Sequence, residues 1–195
     1  MIIPDANLLL YAYDSSSPFH DRARAWWEGC LNGDEAVDLC HAVVFAFVRL
    51  STNPRVFSWP LSPSRSFEII GQWLARRNVS EIVPGADHLQ AVNGLLEKSG
   101  AAGNLVTDAQ IAALALQYGA TVHSADPDFA RFPGGEVFES YSIEIGIAAP
   151  AIFFKNLEEC LEIRSRHRSG EPLLDILGSL GSGGRCGRVG VCARV

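Results

Sequence analysis

The sequence lacks the features that mark several large classes of protein. Its five cysteines are an odd number without a Cys-x-x-Cys pair, so neither a disulfide framework nor a zinc site is indicated. The first residues lack the basic region and cleavage site of a signal peptide, and the longest later apolar run, Ile145–Phe154, is too short to span a bilayer. We therefore expect a soluble cytoplasmic protein with reduced thiols and no membrane partner.

Positive charge is scarce in most of the chain. The formal net charge is −6, and residues 1–142 hold 9 Lys and Arg against 16 Asp and Glu, a balance of −7. Residues 143–195 hold 7 against 6, a balance of +1. An acidic body argues against non-specific binding of duplex nucleic acid through a basic face, although carboxylates loaded with a divalent cation would still accept a phosphate.

The composition is sufficient for one core domain with an appendage. The chain has 195 residues, of which 48% are hydrophobic. We expect the domain to occupy residues 1–142 and a C-terminal extension to occupy residues 143–195. The extension could include one helix, Ala151–Ile163, followed by a Gly/Ser/Arg-rich stretch, Gly178–Val195, that has no periodicity and is expected to be disordered.

Short apolar strands alternate with amphipathic helices in residues 1–142. Strands are predicted at Met1–Ile3, Ala36–Cys40, Val79–Val83 and Ala120–Ala125. Helices are predicted from Asp5 through Tyr13, at His20–Leu31 and Ala42–Leu50, from Pro63 through Leu74, and at His88–Lys98 and Ile111–Tyr118. This alternation predicts an α/β fold with a central parallel sheet flanked by helices, in which ligands bind outside the carboxyl ends of the strands.

Three carboxylates occur in the same local setting, where a helix begins. Asp5 follows the first strand, Asp126 follows the last, and Asp108 is expected at the first position of a helix that Thr107 opens with a capping box. Each acid could serve only as a helix cap. If the three junctions lie on one edge of a parallel sheet, however, the acids converge and would repel one another unless a divalent cation, Mg2+ or Mn2+, lay between them.

Other polar and aromatic residues near these positions allow two interpretations each. Asp128 could add a carboxylate or face solvent, and Asn7 and Ser124, like Thr107, could orient ligands or simply begin helices. Trp26 and Trp27, together with Trp59 and Trp73, could stack nucleic-acid bases, but a core or a protein–protein interface is the more common use of such residues, and we favour the interface.

Four motifs follow one another along the chain. They are Asp5-x-Asn7, Arg49-x-x-Thr52-Asn53-Pro54, Thr107-Asp108-Ala109 and Ser124-x-Asp126-x-Asp128-Phe129. Their order and spacing resemble the PIN domain of VapC-type toxins, and most of all its actinobacterial branch. The resemblance covers roughly Met1 to Phe138, and it implies a PIN-like three-layer fold.

The resemblance also implies an activity. VapC-type toxins are Mg2+-dependent endoribonucleases of type II toxin–antitoxin modules, usually homodimers, and a cognate VapB-type antitoxin holds them inactive. Asp5, Asp108 and Asp126 fall on the family's metal-binding and catalytic acids, and Asp128 falls on a frequent additional one. A metal-activated water would then hydrolyse a phosphodiester of RNA, and Arg49 would brace the third helix or touch substrate.

The resemblance further implies where the antitoxin docks. We expect an apolar helix of the antitoxin to lie on the exposed parts of His20–Leu31 and Ala42–Leu50, and a basic side chain to reach towards the acids.

One position departs from the family pattern. The glutamate of the third helix falls at Val44, and the predicted helix Ala42–Leu50 carries no acid. Losing one carboxylate of four weakens the affinity for a small cation such as Mg2+. Two functions therefore stay open: a nuclease in which Asp128 and ordered water compensate, and an inactive PIN-like module that binds antitoxin or RNA without cleavage. A phosphatase of the haloacid dehalogenase type is disfavoured, because its Asp-x-Asp motif reads Asp5-Ala6-Asn7 here.

Overall fold

A computed structural model of the chain describes residues 1–100, 102–103 and 105–133, and the backbone of residues 138–140. The strands are β1 (Ile2–Pro4), β2 (Val37–Cys40), β3 (Val79–Ile82), β4 (Thr121–Ser124) and β5 (Phe138–Ser140). The α-helices are α1 (Ala6–Tyr13), α2 (His20–Asn32), α3 (His41–Ser51), α4 (Pro63–Leu74), α5 (His88–Ser99) and α6 (Leu105–Tyr118), and a 3₁₀ helix spans Pro127–Arg131.

The predicted alternation of strands and helices is confirmed, and most element ends agree to within one or two residues. Strand β5 was not predicted. The predicted extension, with its helix at Ala151–Ile163 and its tail at Gly178–Val195, lies outside the described residues. Among the residues that the structure describes, no helix has the length and apolar composition needed to cross a membrane.

The five strands form one parallel sheet in the order β3-β2-β1-β4-β5. The chain first adds β2 and β3 on one side of β1 and then crosses to the other side for β4 and β5. The direction of winding therefore reverses between β1 and β4. In open parallel sheets, ligands bind outside the carboxyl ends of the strands at such a switch point.

The register places Asp5 and Ser124 side by side at this switch point. Pro4, the last residue of β1, pairs with His123 of β4. The amide of Asp5 then donates a hydrogen bond of 2.8 Å to the carbonyl oxygen of His123. Asp5 consequently leaves the sheet level with Ser124, the last residue of β4.

Helices α1 to α4 share an aromatic core on one face of the sheet. The ring of Trp73 lies with its centroid 4.8 Å from that of Phe47, 5.4 Å from Trp27 and 5.6 Å from Tyr13, in edge-to-face arrangements. The indole N–H of Trp73 donates a hydrogen bond of 2.9 Å to the Tyr13 hydroxyl. Trp27 and Trp73 are only 2% and 1% exposed, so the prediction that they belong to a partner-binding surface is wrong. Trp26, beside Trp27, is half-buried.

The start of α6 also differs from the prediction. The helix begins at Leu105, so Thr107 lies inside the first turn and the predicted capping box is wrong. Gly103 has a left-handed backbone with φ of +64°, and its carbonyl oxygen accepts a bond of 3.2 Å from the amide of Val106. Because Leu105 is buried, the helix gains apolar contact by beginning there. Asp108 is therefore the fourth residue of the helix and not the first.

Candidate active site

Asp5 occupies the N-cap position of α1, but its side chain makes no capping hydrogen bond. The hydroxyl of Ser124 instead donates a hydrogen bond of 2.6 Å to Asp5 Oδ2. The Asp5 residue is only 8% exposed. Its carboxylate is thus tied to the end of the neighbouring strand, and the interpretation of Asp5 as a simple helix cap does not hold.

Ser124 is the centre of a small hydrogen-bond network. Its Oγ accepts from Asn7 Nδ2 at 3.1 Å and from the amide of Asp126 at 2.9 Å. A hydroxyl has one hydrogen and two lone pairs, so these two incoming bonds direct its hydrogen to Asp5. Asn7 Oδ1 also accepts from the amide of Ala125, at 3.4 Å. The network joins the start of α1 to the loop after β4 and fixes the direction of the Asp5 carboxylate.

Asp126 begins the segment that follows β4. Its Oδ1 accepts a hydrogen bond of 2.9 Å from the amide of Asp128, so the predicted cap is confirmed. The capped element is a five-residue 3₁₀ helix, at the place where the sequence predicted that a helix begins. Asp128 lies in its first turn, and Arg131 Nη1 lies 3.5 Å from Asp128 Oδ1. Sequence reasoning gave Arg131 no role, although its spacing of three residues from Asp128 would have indicated an ion pair on one face of a helix.

Burial and neighbouring negative charges raise the pKa of Asp5, Asp108 and Asp126. Burial raises the pKa of Asp108 to about 7, and the charges of Asp5, Asp126 and Asp128 contribute to that rise. Burial likewise raises the pKa of Asp5 to about 6 against the lowering effect of the Ser124 hydrogen bond, and the Asp126 charge adds to the rise. Burial also raises the pKa of Asp126. The charges of these acids therefore act on one another, and their joint use as a metal site stays a prediction.

The donor set fits a hard divalent cation. Carboxylate oxygens are the ligands that Mg2+ and Mn2+ prefer, and a bound cation would favour the charged form of these buried, mutually repelling carboxylates and so lower their pKa values. Within the described ranges, no three His, Cys, Asp or Glu side chains stand close enough together to hold a metal ion as they are. Side-chain rotations would have to draw the carboxylates together around a shared ion.

The remaining predicted residues, Val44, Arg49 and Thr107, lie on helices α3 and α6. Val44 is buried in the first turn of α3, which has no acid of its own. Arg49 is exposed and lies in the last turn of α3, roughly 12 Å along the helix from the carboxyl edge where α3 begins. Thr107 is exposed beside Asp108. The roles suggested for Arg49 and Thr107 stay predictions.

A family model described as the PIN domain matches residues 2–135. The chain belongs to the PIN-domain family. It is 44% identical over 132 residues to Ribonuclease VapC33 of Mycobacterium tuberculosis, a match that covers 68% of this chain and 92% of that protein. It is 37% identical over 134 residues to Ribonuclease VapC37 of the same organism, covering 69% and 93%. Within the PIN-domain family, the chain thus belongs with the VapC ribonucleases, as the four motifs predicted.

Solved structures confirm the PIN fold. Mycobacterium tuberculosis VapC20, described as a Sarcin-Ricin loop cleaving toxin, superposes with a TM-score of 0.51 at 17% identity, covering 67% of this chain and 93% of that one. VapBC2 from Rickettsia felis, solved with a DNA fragment from its promoter, gives a TM-score of 0.52 at 20% identity, covering 71% and 98%. At these identities the likeness concerns the fold, and it agrees with the predicted parallel α/β architecture.

Proposed function

We propose that this PIN-domain chain is a divalent-metal-dependent endoribonuclease, the toxin of a type II toxin–antitoxin module, and that Mg2+ or Mn2+ is its metal. The observation that carries the proposal is the convergence of Asp5, Asp108 and Asp126 where the sheet reverses its winding, with raised pKa values that a cation would relieve. The VapC ribonucleases among its relatives support the choice of RNA as substrate.

The acids and their supports have distinct roles in this proposal. Asp5, Asp108 and Asp126, with Asp128 in addition, would hold the ion, which supplies an activated water and offsets charge at the phosphorus atom. Ser124 holds Asp5 Oδ2 through its 2.6 Å hydrogen bond and so fixes the orientation of the carboxylate that would help to hold the ion. Asn7 prevents the Ser124 hydroxyl from turning away. Both residues therefore act as positioning groups.

Single-stranded or looped RNA is the proposed substrate. The acids are buried or half-buried at the junction of β1 and β4. A flexible backbone with splayed bases can enter such a narrow cleft, whereas an A-form helix is too wide to reach its floor.

The test is cleavage of a mixed RNA pool with saturating Mn2+, run beside calorimetric titration of Mn2+ into the same proteins. Asp108→Asn should lower cleavage at least about 100-fold and remove saturable Mn2+ binding, since even outer-shell partners of a metal are worth about 10–100-fold. Asp21→Asn is the matched control, because Asp21 is exposed on α2. Equal cleavage by the parent and Asp108→Asn would overturn the mechanism.

A second candidate function is a binding module without nuclease activity. It is favoured by the buried Val44 at the family's glutamate position, and by the finding that no three His, Cys, Asp or Glu side chains among the described residues stand close enough together to hold a metal ion. Absence of both cleavage and Mn2+ binding in the parent, with a tight small protein partner in the purified complex, would establish it. Saturable Mn2+ binding by the parent would count against it.

We also propose a VapB-type antitoxin as partner, a homodimer as the assembly and the cytoplasm as the location. The exposed Phe45 of α3 and the half-buried Trp26 of α2 offer apolar surface to an antitoxin helix, whereas the buried Trp27 does not. Phe45→Ala should therefore weaken the toxin–antitoxin complex, and Leu89→Ala, at an apolar side chain of α5 that is 83% exposed, provides the control variant.

A further inference from the structure

Arg131 stands at the rim of the acidic cluster. Its Nη1 lies 3.5 Å from Asp128 Oδ1, and the two side chains are 50% and 27% exposed. Among the Lys and Arg side chains in the part of the chain that the structure describes, Arg131 alone lies within ion-pair distance of any of the four acids. The cluster thus has one cation at its solvent side.

The backbone that carries Arg131 is firmly anchored. Phe129 and Phe132, on either side of it, are 3% and 2% exposed, and their rings pack edge to face at 6.3 Å. The Asp126 cap holds the other end of the 3₁₀ helix through the Asp128 amide. The guanidinium group can therefore change partner while its Cα stays in place.

An acidic cleft needs a cation besides its metal in order to hold RNA. Residues 1–142 carry a balance of −7, and the polyanionic substrate is attracted only where positive charge meets a phosphate. Arginine suits this task, because its planar fork donates two hydrogen bonds to one phosphate. An ion pair between partly solvated side chains is weak, so a phosphate can displace Asp128 from Arg131.

We propose that Arg131 binds a phosphate of the RNA backbone next to the one that is cleaved, exchanging Asp128 for the substrate. This inference rests on the proposed ribonuclease function. The alternative is that Arg131 only holds Asp128 in position, in which case its loss would act through the metal and not through the RNA.

The test measures binding of a fluorescein-labelled single-stranded RNA by anisotropy, with Ca2+ as the divalent ion, at a series of KCl concentrations. Arg131→Gln should weaken binding about tenfold and lower the slope of log K against log[KCl] by about 0.7, the value for one phosphate contact on a single strand. Arg131→Lys should fall between the parent and Arg131→Gln, because lysine keeps the charge and loses the fork.

Arg65→Gln is the matched control. Arg65 forms the same kind of pair three residues along a helix, with Glu68 at 3.0 Å, and the two side chains are 51% and 61% exposed. Arg65→Gln removes the same charge as Arg131→Gln, and its RNA affinity and salt slope should equal those of the parent. Mn2+ affinity, measured by calorimetry, should be equal in the parent and Arg131→Gln.

The outcomes separate the two proposals. A parent that neither binds nor cleaves RNA would overturn the ribonuclease function and this inference with it. A parent that cleaves RNA, with Arg131→Gln and Arg65→Gln alike in affinity and salt slope, would overturn the inference alone. Parallel losses of RNA and Mn2+ affinity in Arg131→Gln would also overturn it, because they would show that Arg131 acts by holding Asp128 in position.

Discussion

Burial stabilises the aromatic core around Trp73, whereas burial destabilises the charged acids at the edge of the sheet. In the core, Trp73 is 1% exposed and its single polar atom is bonded to Tyr13. At the edge, Asp5 and Asp108 are removed from water beside like charges, and their pKa values rise to about 6 and about 7. The core contributes stability in the absence of any ligand, whereas the edge lowers it until a cation arrives.

A third buried group shows that burial of an acid is not enough to make a site. Asp38 of β2 is 4% exposed, burial raises its pKa, and within the described residues its Oδ2 has no hydrogen-bond partner. No charge of the edge acids contributes to that rise. What distinguishes the edge is the convergence of several carboxylates around a shared space, together with a hydroxyl that orients one of them.

The core should give the largest effect on stability. Trp73→Ala removes the ring at the centre of the aromatic cluster and leaves the Tyr13 hydroxyl without its donor. We expect the free energy of unfolding to fall by about 3–5 kcal/mol in urea titrations. Trp59→Ala, at a side chain that is 83% exposed, should change it by about 0.5 kcal/mol or less. Similar losses in the two variants would contradict the assignment of Trp73 to the core.

Local sequence signals predicted the helices and strands, but they did not predict which of these elements pack against one another. Apolar periodicity and Ser62-Pro63 were sufficient to place α4, and Ser62 indeed caps it by accepting from the Arg65 amide. The capping box at Thr107 failed, because burial of Leu105 two residues earlier decided where α6 begins. Local propensity was overridden there by tertiary packing.

The orienting group at the edge is expected to have the next largest effect. Ser124→Ala frees Asp5 Oδ2 and leaves the donors of Asn7 and Asp126 without their acceptor. We expect Mn2+ affinity to fall about 10–100-fold in calorimetric titrations, because groups that orient a metal ligand are typically worth that much. Ser124→Thr keeps the hydroxyl and should keep the affinity.

Ser80→Ala is the control for this prediction, because Ser80 is an exposed residue of β3. If Ser124→Ala bound Mn2+ as tightly as Ser80→Ala, the network around Ser124 would have no bearing on the metal.

The sequence was sufficient to predict which residues form the candidate site and that they lie where helices start. Asp5 and Asp126 each stand at the cap of a helix and Asp108 lies in the first turn of one, and a parallel sheet brings such junctions together. The sequence could not show that Ser124 bonds Asp5, because that contact joins residues 119 positions apart and depends on the register of β1 and β4. The ion pair between Arg131 and Asp128 was not predicted, although their spacing of three residues indicated it.

The acids at the edge should make the stability of the protein depend on pH in the opposite sense from an ordinary surface acid. This is the smallest of the three predicted effects. In the metal-free protein, the folded state retains the proton of Asp108 up to about pH 7, whereas the unfolded chain releases it near the ordinary aspartate pKa of 3.8. The folded state therefore binds more protons between these values, and the free energy of unfolding falls as the pH rises from about 4 to about 7.

Asp108→Asn keeps a neutral side chain at every pH, so it should lose part of this decline and exceed the metal-free parent by about 1 kcal/mol at pH 8 in urea titrations with a chelator present. Asp21→Asn, at an exposed position, should follow the parent's pH dependence. The prediction would be contradicted if the free energy of unfolding of the metal-free parent rose between pH 4 and pH 7 and Asp108→Asn showed the same pH dependence as the parent. Like charges would then not be buried at this edge. Adding Mn2+ should reverse the order at pH 8, because the parent then gains the binding energy of the cation and the variant does not.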